Sequence, residues 1–153
     1  MPLFLIGSSG LSEDKNDSCA HTPTAFNCVE FIRNYDGDTL TVNIPDVHPL
    51  LGSRISVRVF GVDSPEKRGT KPCERDRARD AQKLTSSLLK KAKRVDLRNI
   101  QRDKYFRVLA EVWADDISIA DALIKNGLAY PYSGGTKFTE VDWCRMANAS
   151  TKK

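Results

Sequence analysis

The chain has 153 residues, 40% of them apolar and 29% charged, with a net charge of +4. These values suit one globular domain with a hydrophobic core, and they exclude collagen-like, coiled-coil and low-complexity chains. No apolar run approaches the roughly 20 residues that cross a bilayer, so no membrane role is expected.

Residues 1–27 are polar and aperiodic and read as an N-terminal arm, its first residues being the possible remnant of a signal peptide. Segments 29–34 and 40–44 read as strands; in the second, Leu40, Val42 and Ile44 alternate with Thr39, Thr41 and Asn43. Tyr35-Asp36-Gly37-Asp38 between them reads as a hairpin turn, with positive φ expected at Gly37. Residues 45–52 read as a loop and 54–60 as a third strand, with Ile55, Val57 and Val59 on one face and Arg58 on the other. Residues 61–72 read as irregular. From 76 to 92 the period turns helical, with Ala81, Leu84, Leu88 and Ala92 in one stripe. Residues 95–100 and 105–114 read as strands, the latter placing Phe106, Val108, Ala110 and Val112 on one face. A second helix runs from Ser118, a good N-cap residue, to Gly127, which suits a left-handed helix stop. This order predicts a β-rich α+β domain, a five-stranded Greek-key barrel of the OB type with two to three helices, over 28–144, followed by a tail at 145–153.

Charge is unevenly spread along that plan. Residues 67–107 hold 15 Lys and Arg against five Asp and Glu, whereas 36–66 hold two against five. A basic block of this kind suits a polyanion, because cations close to phosphates release condensed counterions. Asp36 and Asp38 flank the first turn, and Asp63 and Glu66 follow the third strand, so the two pairs are expected at one end of the barrel. Carboxylate oxygens from two loops with a backbone carbonyl are what Ca²⁺ or Mg²⁺ requires; taken alone, Asp36 and Asp38 are better read as serving and capping the turn. Arg58 and Arg107 lie on polar strand faces and offer planar, permanently charged forks that match a phosphate. Taken singly, each reads as a surface ion-pairing residue.

Four cysteines, Cys19, Cys28, Cys73 and Cys144, show no CxxC spacing. Two disulfides are therefore expected, and with them a secreted or periplasmic location. Of three possible pairings, a local Cys19–Cys28 loop with a long Cys73–Cys144 staple is preferred, although spacing alone does not fix it.

Four segments in order, Asp36-Gly37-Asp38-Thr39, Arg58 through Asp63-Ser64-Pro65-Glu66, Asp103-Lys104-Tyr105-Phe106-Arg107 and Asn126-Gly127-Leu128-Ala129, resemble the signature of the staphylococcal nuclease (thermonuclease) family. The resemblance spans roughly residues 28–132. It implies an OB-fold phosphodiesterase that uses Ca²⁺ to cut DNA and RNA and leaves 3′-phosphate ends; a monomer is expected, although the sequence does not fix the oligomeric state. By motif position Asp38, Asp63 and the Ser64 carbonyl would ligate the metal, and Glu66 would activate or orient water. Arg58 and Arg107 would hold the phosphate, and Lys104 and Tyr105 a neighbouring one. Tyr130 and Tyr132 are candidates for base stacking, core packing being an equal reading. Phe106 stands where the family usually has Gly, a departure expected to reshape the pocket beside Arg107. With Asp38, Arg58, Asp63, Glu66 and Arg107 all present, an enzyme is favoured over a catalytically silent nucleic-acid-binding module.

Overall fold

The computed structural model describes residues 17–135 and 141–145. After a 3₁₀ turn at Asp17–Cys19 come β1 (Ala25–Phe26), β2 (Glu30–Asn34), β3 (Thr39–Asn43), the short helix α1 (Pro49–Gly52), β4 (Ile55–Val59) and β5 (Gly61–Asp63). The helix α2 (Pro72–Lys91) leads to β6 (Val95–Arg102), β7 (Val108–Ala114), β8 (Ile117–Ser118), α3 (Ile119–Lys125) and β9 (Tyr130–Tyr132). The main sheet runs β1-β6-β7-β4-β3-β2, with β8 beside β7. β4 and β7 pair in parallel, Val57 opposite Val108, while the neighbouring pairs are antiparallel. The sheet curls until the Val29 amide donates to the Val95 carbonyl at 2.9 Å, which brings the β2 edge to β6. Five strands, β2, β3, β4, β7 and β6, thus form an OB-fold barrel, as expected.

Strand alternation places Leu40, Val42, Val57, Val59, Leu97, Ala110 and Val112 inside the barrel, each at most 1% exposed. α3 closes one end with Ile119 and Leu123. Its start is capped as expected, the Ser118 hydroxyl accepting the Asp121 amide, and Gly127 takes φ +66° beyond its end.

Several local expectations change. The supposed arm joins the domain well before residue 28: β1 pairs with β6, and His21 meets the Pro45 carbonyl at 2.6 Å. The predicted loop at 45–52 contains α1, and the predicted irregular stretch contains β5, which pairs with β9. α2 begins at Pro72 rather than 76, since proline suits a first helical turn, where its missing N–H is no loss. Its buried face is Ala78, Ala81, Thr85 and Leu89, one position round from the predicted stripe; Leu84, Leu88 and Ala92 lie at the margin. β7 starts at Val108 because residues 103–107 form a turn. Gly37 does not take positive φ. Its side chain is excluded by contact instead: a Cβ there would lie 2.8 Å from the Ala81 Cβ. The cysteines pair as Cys19–Cys28 and Cys73–Cys144, the second fastening the start of α2 to the segment at 141–145.

Candidate active site

The first turn is built by its own side chains and braced from behind by α2. Asp36 accepts the Asp38 amide at 3.1 Å, an Asx-type contact that holds the turn. Buried Asn34 donates to the Asp36 carbonyl at 2.8 Å and to the Gln82 carbonyl of α2 at 2.9 Å. The Thr85 hydroxyl donates to the Gly37 carbonyl at 2.7 Å. The small residues Gly37 and Ala81 let the turn lie directly on the helix, and that approach fixes where Asp38 points. Sequence periodicity marks α2 as a helix but does not reveal Asn34, Gln82 and Thr85 as braces, because their partners are far along the chain.

Asp38 and Asp63 do converge, as the sequence predicts, and the group between them is Arg58. One arm of its guanidinium bonds Asp38; the other bonds Asp63 at 2.6 Å. The second Asp38 oxygen accepts the Ser64 amide at 2.7 Å, and the second Asp63 oxygen accepts the Tyr130 hydroxyl at 2.5 Å. The resemblance assigns Arg58 to the phosphate and the acids to a metal; in this structure Arg58 bridges the two acids directly. The arrangement follows from register, since Thr39 pairs with Arg58 across β3 and β4 and brings Asp38 alongside.

Asp36, Asp38 and Asp63 are all buried, and Arg58 is the cation among them. Burial pushes the Asp38 carboxyl up to about 7; Arg58 opposes that rise and Asp36 adds to it. Burial alone would lower the Arg58 guanidinium, but Asp38 and Asp63 outweigh it, and the group is held more firmly charged than usual. Burial, followed by the Asp63 carboxylate, raises the Tyr130 hydroxyl, so it remains a donor. The Ser64 hydroxyl is buried and has no hydrogen-bond partner among the described residues. No three Asp, Glu, His or Cys side chains form a ready metal cage among the described residues.

Above these acids opens a cleft of about 950 Å³. Arg58, Glu66, Arg107, Lys104, Tyr105 and Tyr132 all line it, with Tyr35 and Asp36 from the first turn. Of the predicted site residues, Glu66, Lys104, Tyr105 and Arg107 thus arrive from two separate loops, Arg58 from β4 and Tyr132 from β9. Arg107 is placed by Asp103, which bonds its Nε at 2.7 Å and its amide at 2.9 Å. Burial would raise the Asp103 carboxyl, but these bonds hold it below the usual carboxylate range. Asp103 was not assigned a role from sequence, although its position four before an arginine is a signal for such a pair. Of the two readings of Tyr130, packing is the one its contacts fit: its hydroxyl turns to Asp63 and its ring lies 5.9 Å from the Trp143 ring.

The molecule is thus an OB barrel with an acid-and-arginine cleft at one end. It belongs to the staphylococcal nuclease family: the profile of the staphylococcal nuclease homologue family matches residues 56–152. The chain is similar to two proteins of Bacillus subtilis (strain 168). It is 34% identical to endonuclease YncB over 125 residues, covering 78% of this chain and 56% of that protein. It is 33% identical to the SPbeta prophage-derived endonuclease YokF over 113 residues, covering 71% of this chain and 36% of that protein. The chain thus spans about half or less of the length of these relatives.

Proposed function

We propose that the protein is a Ca²⁺-dependent endonuclease that hydrolyses phosphodiester bonds of DNA and RNA, leaves 3′-phosphate ends, and works in the periplasm or outside the cell. The observation that carries this reading is the meeting of Arg58, Glu66 and Arg107 at one cleft above buried carboxylates. The names of both relatives and the family match support it. The two disulfides support an oxidising compartment.

The chemistry follows from the residues. Lys104, Arg107 and Arg58 give the cleft a cationic wall that seats a phosphodiester, while Tyr105 and Tyr132 offer ring surface to the bases. The arginines donate to phosphoryl oxygens whose charge grows as water adds, and Arg107, fixed in advance by Asp103, needs little reorganisation. Glu66, a carboxylate on the cleft wall, takes or orients the proton of the attacking water.

Three buried carboxylates facing one guanidinium leave an excess of negative charge, and two of them, Asp38 and Asp63, are with the Ser64 oxygens hard donors of the kind that suits Ca²⁺. Asp38, Asp63 and the Ser64 carbonyl would hold the ion, with Arg58 released toward the substrate. When bound, Ca²⁺ supplies Lewis-acid polarisation of the phosphoryl oxygen.

Incubating the purified chain with DNA and with RNA, in Ca²⁺, in Mg²⁺ and in chelator, tests the proposal. Ca²⁺-dependent cleavage of both polymers to 3′-phosphate ends is expected. Binding without cleavage would overturn it in favour of a silent nucleic-acid-binding module. Glu66→Gln should lower turnover by about 100-fold or more, within the range for losing a general base, while Ca²⁺-supported oligonucleotide binding persists.

A further inference from the structure

The turn at residues 103–107 carries more than Arg107. Tyr105 and Phe106 are both largely exposed, at 67% and 77%, on adjacent positions of the same turn. Phe106 adopts φ +62°, a left-handed conformation that costs an L-residue energy and that glycine takes freely. The strain is over-determined by bonding: the Asp103 carboxylate accepts the Tyr105 and Arg107 amides, the Phe106 amide donates to the Asp103 carbonyl at 3.0 Å, and Arg102 donates to the Phe106 carbonyl at 3.3 Å. The Arg102 guanidinium also lies 5.9 Å from the Phe106 ring centroid, and Lys104 and Arg107 stand 5.2 and 5.7 Å from that of Tyr105.

A bulky apolar ring held in water, at a backbone position that disfavours it, brings nothing to the core. Strain of this sort is kept where it serves a site. Its chain neighbours Lys104, Tyr105 and Arg107 line the cleft, and the Arg102 cation flanks the ring. Aromatic rings next to basic side chains accept unpaired bases, because each base has a π-face and each linkage a negative charge. In a duplex the bases are already stacked and hidden from such a ring.

We infer that Phe106, with Arg102 at its side, is a stacking subsite for an unpaired nucleobase and biases the cleft toward single-stranded polynucleotide. The inference rests on the nuclease reading above and names the strand form that the same cleft prefers. Tyr105 then belongs to the cleft, and Phe106 extends contact one position beyond its rim.

The test compares fluorescence-anisotropy binding of a labelled oligothymidylate and a blunt duplex of equal length, in chelator, to wild type, F106L and F106W. F106L keeps bulk and the same backbone demand while removing the π-face. It should lower single-strand affinity by about tenfold relative to duplex, the order that one stacked base contributes, and F106W should restore it. Matching thermal transitions would show that the turn is intact. Unchanged relative affinity in F106L, or an equal fall for both ligands, overturns the subsite while leaving the nuclease reading in place. A wild-type chain that neither binds nor cleaves any polynucleotide overturns both.

Discussion

The two arginines of the cleft are held in opposite ways. Arg58 rises from a central barrel strand with its side chain 14% exposed and both arms on buried carboxylates. Arg107 ends a surface turn, 36% exposed, and answers to Asp103 four residues earlier. The same guanidinium chemistry is thus tied into the structure's stability in one case and separated from it in the other. An interior ion cluster cannot lose a member cheaply, whereas an exposed pair contributes little.

Breaking the interior member gives the largest expected effect. Arg58→Ala leaves Asp38 and Asp63 without their shared cation and should destabilise the fold by about 3–5 kcal/mol in urea unfolding, against less than about 1 kcal/mol for Arg107→Ala. Equal losses would remove the distinction. Next in size, Arg107→Lys should reduce turnover by about 100-fold or more with unfolding unchanged, because a point charge cannot replace a forked donor aimed at the phosphate. A near-normal rate would show that Arg107 does not act as a fork.

Tyr130→Phe sharpens the contrast inside the cluster, since it removes one charge-assisted hydrogen bond to Asp63 and leaves the ring beside Trp143. A loss of about 1.5–3 kcal/mol in stability is expected, together with weaker Ca²⁺ binding by calorimetry; unchanged values on both would mean that Asp63 needs no such support.

The smallest effect is in pH. The folded Asp38 value of about 7 lies above the usual 3.8, so the native state holds its proton the more tightly. That contribution favours the metal-free fold below about pH 4 and fades as pH rises through about 7. Wild-type stability should therefore decline relative to Asp38→Asn across that interval, and Ca²⁺ affinity should rise over it as the proton ceases to compete. A flat difference would contradict the assignment.

Much of this was legible in the chain. Alternation along residues 40–44 and 54–60 names the barrel interior, and Asp-Gly-Asp after one strand with Asp63 after another places the acids at one end, because strand exits are set by local pattern. What pattern does not carry is the long-range accounting. That Arg58 bridges the acids, and that Tyr130 serves Asp63 rather than a base, depend on pairings of β3 with β4 and β5 with β9. The Gly37 error has a similar root: its missing side chain answers to a helix more than forty positions away, not to its own dihedral. Phe106 reads as a strand residue at a position where the family usually has Gly, and its backbone angle shows what that Gly answers to.

The side-by-side alignment of β4 with β7 has a consequence for how the cleft comes into being. Val57 meets Val108 across roughly a third of the chain's length, with α2 and β6 formed in the interval. Arg58 stands within this ladder, opposite Leu109, and Arg107 immediately precedes it, so neither the first half of the polypeptide nor the second can assemble the pocket alone. Such distant registration makes slow folding the expectation, and it ties the appearance of the cleft to completion of the whole barrel, not to any segment of it.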